Sequence, residues 1–459
     1  MICLGTWFFI VLINYYFRMV DALILSGKEK ALLFFLLALF TFLVLLASFL
    51  LSSIVLLVVF NGVFLFILLF YLLLYLNKGS HGVSNPPKSF PSVSIIIPMY
   101  NSKGTIRACV ESVKRIKWLG KLEIIVVDDC SSDGSSEILK KIKGIRVITH
   151  EKNLGKAVAL NNAFKRVSSK FVVCIDSDSY PERDILLKTM GYFEDKSVAA
   201  VTCLVLPDKR NSLIQKIQHI EYLAGFGLNN TLLSSISSSY VVPGPYTIIK
   251  RSVFEKVGYF QQGNLAEDME FGLRLKKHGL KIINCFDAVV YTDIPVTWSG
   301  LFRQRDRWSR GGIFNFIKYK ELFFNRKNPD FGFFVMPFLF ATQILTVAII
   351  IRTLCFLLFD LFTTFKIIFE YLLLGGFFYF DLSRIVFPSS IYFFAVTYLI
   401  VLIYFALAFR LTKQKLGFRE LPIFLILIFI YPYFITLIYS QGYFKEMIGV
   451  GGEWLRVST

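Results

Sequence analysis

Apolar residues gather at the two ends of the chain, and an ordinary mixture of polar and apolar positions fills the middle. Residues 31–76 have one strong interruption, the pause at Leu51-Ser52-Ser53. At ~20 residues per crossing, that length suffices for two membrane helices. Residues 3–17 form a shorter run, either a third crossing or a signal-peptide core. Arg18-Met19-Val20-Asp21 follows in place of a small-residue cleavage site, so the run is expected to be retained. Beyond Phe331 the pattern is again nearly all apolar, with candidate spans at residues 331–351, 354–380, 385–409 and 421–439.

The middle reads differently. Residues 93–98 are a short β-branched strand, followed by a helix through Ile116. A second strand at 122–127 ends at Asp128-Asp129, and Ser132-Asp133-Gly134-Ser135 carries helix-capping chemistry. Then come a strand at 146–149, a helix at 156–167 and a strand at 171–175 that ends at Asp176-Ser177-Asp178. Strands alternating with helices of this length predict a mostly parallel sheet with helices on both faces. Ligands bind such sheets beyond the carboxyl ends of the strands, where Tyr100, Asp128, Asp129, Asp176 and Asp178 all fall. Residues 211–228 are amphipathic through Leu213, Ile217, Ile220 and Leu223, which suits either a membrane-surface helix or a core helix.

Composition sharpens this picture. The 459 residues are 55% hydrophobic with mean hydropathy +0.60, too apolar for a soluble enzyme. A net charge of +18 would suit nucleic acid, anionic lipid or an anionic substrate. The apolar ends favour lipid headgroups and a phosphorylated substrate, and no aromatic-rich RNA-binding motif appears, so nucleic acid is not an expected partner. Seven scattered cysteines without a CxxC pair give neither a disulfide framework nor a zinc site, and fit a central domain in the reducing cytosol. Arg18, Lys28 and Lys30 lie on the cytosolic side if three spans precede the domain. Lys413, Lys415 and Arg419 also argue for the inside, which conflicts with a four-span tail and leaves three or four C-terminal spans open.

Five motifs carry chemistry. Asp176 and Asp178, aimed by a buried strand, can hold a hard divalent cation whose other ligands come from water and phosphate; a solvated turn is the plainer reading. Glu267-Asp268 opens a helix, where acids are favoured by the macrodipole alone, yet Asp268 there could serve as a general base toward a hydroxyl. Gly155-Lys156 puts a cation in a first helical turn, a poor choice unless it meets an anion. Gly244-Pro245 is a turn whose backbone can approach a ligand, or simply a hairpin. Gln304, Arg307 and Trp308 share one helical face at i, i+3 and i+4, joining an amide, a phosphate-gripping guanidinium and a flat indole. A basic interfacial helix anchored by its Trp is the alternative.

In order, Pro98-Met99-Tyr100-Asn101, Asp128-Asp129, Gly155-Lys156, Asp176-Ser177-Asp178, Glu267-Asp268 and Gln304-Arg305-Asp306-Arg307-Trp308 resemble the membrane-embedded family 2 inverting glycosyltransferases with a QxxRW signature. That group includes cellulose, chitin, hyaluronan and poly-N-acetylglucosamine synthases. The resemblance implies an α/β GT-A fold, a Rossmann-like mixed sheet, inserted between N- and C-terminal transmembrane helices. It also implies a nucleotide-sugar donor, commonly a UDP-sugar, with Mg2+ or Mn2+ as cofactor. By that likeness Tyr100, Asp128, Asp129, Lys156, Asp176, Gln304 and Arg307 bind the donor, and Asp178 with Asp176 holds the metal. Asp268, beside Glu267, is the base, and Trp308 with Gly244 and Pro245 lines the acceptor site.

The expected organisation is residues 1–80 with two or three spans, 91–300 as a cytosolic catalytic domain, 301–330 as interfacial helices, 331–445 with three or four spans, and a tail at 446–459. Ala266 departs from the threonine many relatives carry before Glu-Asp. Gly452-Glu453-Trp454 resembles the tails of such synthases, and no appended cyclic-dinucleotide receptor domain is expected. The expected acceptor is a polysaccharide elongated at the plasma membrane and passed outward, with Arg352, Asp360, Lys366 and Glu370 either lining a polar passage or, for Lys366 and Glu370, forming an i, i+4 surface pair. A lipid headgroup glycosylated in one step is the alternative, and a degenerate scaffold the remaining one.

Overall fold

The run Val-Ser-Ile-Ile-Ile-Pro-Met becomes β1 (Val93–Met99), every residue of which is buried, as expected of a β-branched strand covered on both faces. The computed structural model describes residues 65–66, 68–77, 81–374, 390–415 and 420–447. The spans expected before residue 65, the basic residues Arg18, Lys28, Lys30 and Arg419, and Gly452-Glu453-Trp454 lie outside the described residues.

β1 pairs in parallel with β2 (Leu122–Asp128) on one side and β4 (Phe171–Cys174) on the other, and β3 (Arg146–Thr149) extends β2 in parallel. Helix α1 (Ile106–Lys114) packs its Ile106, Cys109, Val110 and Val113 against Ile95 and Ile97. Helix α2 (Lys156–Phe164) packs its Ala159, Leu160 and Ala163 against Ile96 and Val127. Successive residues of β1 thus face opposite helices, the period-two alternation of a strand in a three-layer sandwich.

The second half departs from the mostly parallel expectation. β7 (Thr247–Lys250) runs antiparallel to β4 and to β6 (Val198–Pro207), while β8 (Lys281–Thr292) is parallel to β6 and takes the short β5 (Ser179–Pro181) antiparallel on its far edge. The order is β3-β2-β1-β4-β7-β6-β8-β5 in one eight-stranded sheet. The sheet is mixed because the chain leaves β6 at the carboxyl edge of the parallel half, makes a helical excursion, and re-enters from that same edge.

That excursion begins with α3 (Leu213–Tyr222), which a capping box between Ser212 and Gln215 starts. It continues as a π-helix over Leu223–Asn229. Ile214, Ile217 and Ile220 are buried against Leu301 and the apolar residues Ile423, Phe424 and Leu427, so this amphipathic face meets protein. Leu213, expected on that face, is exposed.

Helix α4 (Glu267–Lys277) and the long α5 (Trp298–Lys318) follow, α5 beginning three residues before the expected interfacial segment. Where two spans were expected at 331–351 and 354–380, one continuous helix, α6 (Met336–Leu373), runs across the expected gap, and residues 375–380 lie outside the described residues; nothing in Arg352-Thr353-Leu354 breaks a helix, since the stretch lacks Gly and Pro. Lys366 and Glu370 are both exposed on it and pair at 3.7 Å, as in the expected i, i+4 pair; the side chains of Arg352 and Asp360 lie outside the described residues. Helix α7 (Ser390–Leu411) precedes α8 (Leu421–Phe429) and α9 (Tyr431–Met447). The expected 421–439 span is therefore broken after Phe429, one residue before Tyr431-Pro432. Among the described residues no single helix is long and apolar enough to cross a membrane, and one bent pair, Leu421–Phe429 with Tyr431–Tyr443, passes that test together.

Candidate active site

The carboxyl edge of the parallel half collects the acids. Met99 lies opposite Asp128 across β1 and β2, and Cys174 lies opposite Ile96, so Tyr100, Asp128-Asp129 and Asp176-Ser177-Asp178 leave the sheet side by side. Ser102 and Ser177 share a 2.8 Å hydrogen bond that ties the Tyr100 loop to the Asp176–Asp178 turn. Tyr100 itself is 51% exposed, a ring standing free at the rim.

Asp128 and Asp129 are buried, and protein groups already engage their oxygens. Asp128 accepts from the Ser131 amide at 3.0 Å and from the Ser136 hydroxyl. Asp129 accepts from the amides of Leu154 at 2.9 Å and Gly155 at 2.7 Å, and His150 Nδ1 lies 2.7 Å from it. In this arrangement Asp129 fixes the loop that delivers Lys156 to the first turn of α2.

Lys156 is the hub. Its Nζ lies 2.5 Å from Asp176 Oδ1 and 3.7 Å from Glu267 Oε1, joining two motifs ninety-one residues apart. Burial works against its charge, but Asp176, Glu267 and Asp268 hold the ammonium well above the ordinary lysine range. The antiparallel turn into β7 closes the site from above. Because Cys174 pairs with Thr247, the Val242-Pro243-Gly244-Pro245 turn falls beside Asp176. A Cβ at Gly244 would stand 2.5 Å from Asp176 Oδ2 and against Lys156 Nζ, so only bare backbone fits there. The expected close approach of Gly244 is thus to the acids and Lys156.

Burial, together with Asp176 beside it, pushes Asp178 up to about 6, against the opposing pull of Lys156 and the Ser179 hydroxyl. Its Oδ1 accepts from Ser179 at 3.3 Å and from Thr292 at 3.4 Å. Asp176 and Asp178 project from one strand end, and among the described residues no group of three or more His, Cys, Asp or Glu forms a cage. A hard divalent ion held by two carboxylates takes its remaining ligands from water and phosphate. The donor set therefore fits Mg2+ or Mn2+ arriving with a diphosphate.

Glu267 and Asp268 begin α4, with Glu270 completing an acidic first turn. Asp268 Oδ1 accepts from the Met269 amide at 2.8 Å. Burial and neighbouring Glu267 push Asp268 up to about 6, while Lys156 and Arg307 pull the other way. Arg307 reaches this end of α4 by donating to Leu265 O at 3.1 Å. Gly311 lets α5 pack directly on Ala266, since a Cβ at Gly311 would meet the Ala266 methyl. The small residue at 266 thus has a packing reason.

On α5 the expected trio meets different partners. Arg307 is exposed near Asp268, whereas Gln304 accepts from Arg305 Nη1 at 2.6 Å and Trp308 is half-buried, packed in part against the core. Arg305, which the motif spacing passed over, is 1% exposed. Its guanidinium lies 4.2 Å over the Trp308 ring and 2.6 Å from Glu221 Oε2, which also accepts from Tyr431 at 2.8 Å. A signal for it existed, because Arg305 and Trp308 are i, i+3 neighbours; its partner Glu221 had none. Helix α9 docks on the same helix through Lys445 to Asp306 at 3.1 Å and Arg310 to Glu446 at 2.6 Å.

The mixed sheet and its crevice define a GT-A-like α/β fold. Residues 94–258 match the family model described as Glycosyl transferase family 2, so the chain carries a domain of that family. The matched stretch contains Tyr100, Asp128, Asp129, Lys156, Asp176, Asp178, Gly244 and Pro245, and stops before Glu267. The chain is 29% identical over 266 residues to the poly-beta-1,6-N-acetyl-D-glucosamine synthase of Staphylococcus aureus (strain MSSA476), covering 56% of this chain and 63% of that protein. It is 28% identical over 279 residues to the Staphylococcus epidermidis synthase of the same name, covering 60% of this chain and 67% of the other. Among solved structures, the mannosyltransferase PcManGT of Pyrobaculum calidifontis, in complex with GDP-Man and Mn2+, superposes with a TM-score of 0.55 at 20% identity, over 86% of this chain and 97% of that one. That last likeness is one of fold.

Proposed function

We propose that this chain is a membrane-bound, metal-dependent, inverting glycosyltransferase that extends a polysaccharide from a nucleotide-sugar donor, with an N-acetylhexosamine as the first sugar to test. The observation that carries the proposal is the junction at Lys156, where the Asp176–Asp178 pair and the Glu267-Asp268 pair meet under the Gly244 turn with Arg307 alongside. The names of the staphylococcal relatives supply the sugar and the polymeric product.

Each residue has a task in that reaction. Asp268 accepts the proton of the acceptor hydroxyl as its oxygen attacks the anomeric carbon. The bond from that carbon to the diphosphate breaks, and the nucleoside diphosphate leaves from the opposite face, which inverts the centre. Arg307 neutralises charge growing on the leaving group, a preorganised electrostatic contribution. Mg2+ or Mn2+, when bound by Asp178 and Asp176, supplies further neutralisation of the diphosphate. Tyr100, with Asp128 and Asp129 behind it, borders the place for the base, and Trp308 offers a ring to the acceptor sugar.

The membrane reading rests on the hydropathy of the chain and on large apolar side chains left exposed on α6, among them Leu358, Phe362, Phe365 and Phe369. Rows of that kind suit lipid rather than water. The test is direct. The full chain in lipid nanodiscs is incubated with labelled UDP-GlcNAc, other UDP-hexoses and GDP-mannose, plus Mg2+ or Mn2+, and the products are sized. A long ladder from one donor is the expected result. A single sugar on lipid would replace the polymer with the headgroup reaction, and no transfer from any donor would overturn the enzyme reading.

A further inference from the structure

The crevice gathers the carboxylates of Asp176, Asp178, Glu267 and Asp268, and Lys156 makes the ion pairs with Asp176 and Glu267. The other nearby cation, Arg307, is turned to Leu265 O. The acids of the two motifs thus share Lys156 as their cation at ion-pair distance. The pair with Asp176 is also fitted tightly, since the bare backbone of Gly244 lies against both partners.

We propose that Lys156 is the resident counter-ion of this cluster: it holds Asp176 when no donor is bound, competes with the divalent ion for that carboxylate, and passes to the donor's diphosphate when metal and nucleotide enter together. The inference rests on the transferase reading above and adds an order to it. A metal ion arriving alone must displace one cation with another and leave the ammonium to Glu267 alone, 3.7 Å away. A metal arriving with a diphosphate brings the anion that Lys156 then takes up, so the exchange keeps every charge paired. Metal and nucleotide therefore tighten each other's binding, as linkage requires, and Lys156 is the residue through which they do so.

The experiment measures Mn2+ binding to the purified full chain by electron paramagnetic resonance, with and without UDP or GDP and with no sugar transfer involved. The wild-type chain is expected to bind Mn2+ weakly alone and on the order of tenfold more tightly with nucleotide. Lys156→Met should bind Mn2+ alone more tightly than wild type by a similar factor, and should lose most of the gain from nucleotide. Lys156→Arg, which keeps the charge, should behave like wild type. Lys156→Gln reads the same comparison if Lys156→Met does not fold. The proposal is overturned if neither neutral variant binds Mn2+ alone more tightly than wild type while wild type responds to nucleotide. Absence of Mn2+ binding by wild type under every condition would instead remove the metal reading and this inference with it.

Discussion

The Arg305 guanidinium stacks 4.2 Å from the centre of the Trp308 ring. The same guanidinium is bound to Glu221, 84 residues away, and Glu221 is bound to Tyr431 beside the break between α8 and α9. One buried cation thus links the expected acceptor platform to the C-terminal apolar helices. Arg305→Ala should destabilise the protein by about 2–4 kcal/mol, near the lower end for breaking a buried pair because Glu221 keeps some contact with water. Arg305→Lys keeps the charge and loses the planar fork. It should fold, bind donor normally and transfer at least about tenfold more slowly, with the acceptor KM raised. A donor KM that rises as much as the acceptor KM would mean the link does not act through Trp308.

Asp268→Asn should abolish transfer while leaving nucleotide affinity within about twofold of wild type. Because burial and Glu267 disfavour the charged form, the substitution should also stabilise the folded chain at neutral pH, by about 1–3 kcal/mol after allowing for solvent access. A variant that turns over normally removes Asp268 as the base, and one that melts below wild type removes the burial penalty on its charge.

Activity and stability should respond to pH in opposite directions. With Asp268 and Asp178 pushed up to about 6, the folded chain binds protons more readily than the unfolded chain between about pH 4 and 6. Their contribution to stability is therefore complete below about pH 4 and is lost as pH rises through about 6. The transfer rate does the reverse, since the base must be ionised. Initial rates and melting temperatures from pH 5 to 8 check both slopes. A rate that is flat below pH 6 would put the proton elsewhere.

Gly244→Ala adds one methyl group against Lys156 Nζ and Asp176. The added carbon has no room without parting that pair, so transfer should fall by about a hundredfold while the circular dichroism spectrum stays that of wild type. Retained activity would show that the turn moves freely and has no part in shaping the site.

Local pattern explains most of what was legible in advance. β1, β2, β3, β4 and α2 lie where the alternation places them, within a few residues at their ends, because the period of apolar positions is a property of neighbours along the chain. The acids at the strand ends were legible for the same reason, since a parallel sheet delivers the residue after each strand to one edge. Asp128 and Asp129 show the limit of that reasoning. Their position at the edge was foreseen, but their engagement by Ser131, Ser136, His150, Leu154 and Gly155 depends on how the following loops turn back.

What the sequence determined by itself was a polar α/β middle between apolar ends, with an ordered set of acids, a lysine and a Gln-x-x-Arg-Trp helix. Tertiary structure alone decided that β7 enters antiparallel, which brings Gly244 onto Asp176. It also decided that Lys156 bridges Asp176 and Glu267, and that Arg305 joins Trp308 to Glu221. Residues 336–373, read as parts of two spans, likewise became one helix. The physical reason is range. Strand periodicity and helix faces are set by residues a few positions apart, whereas these pairings close loops of many tens of residues and are fixed only when the whole sheet and its helices pack.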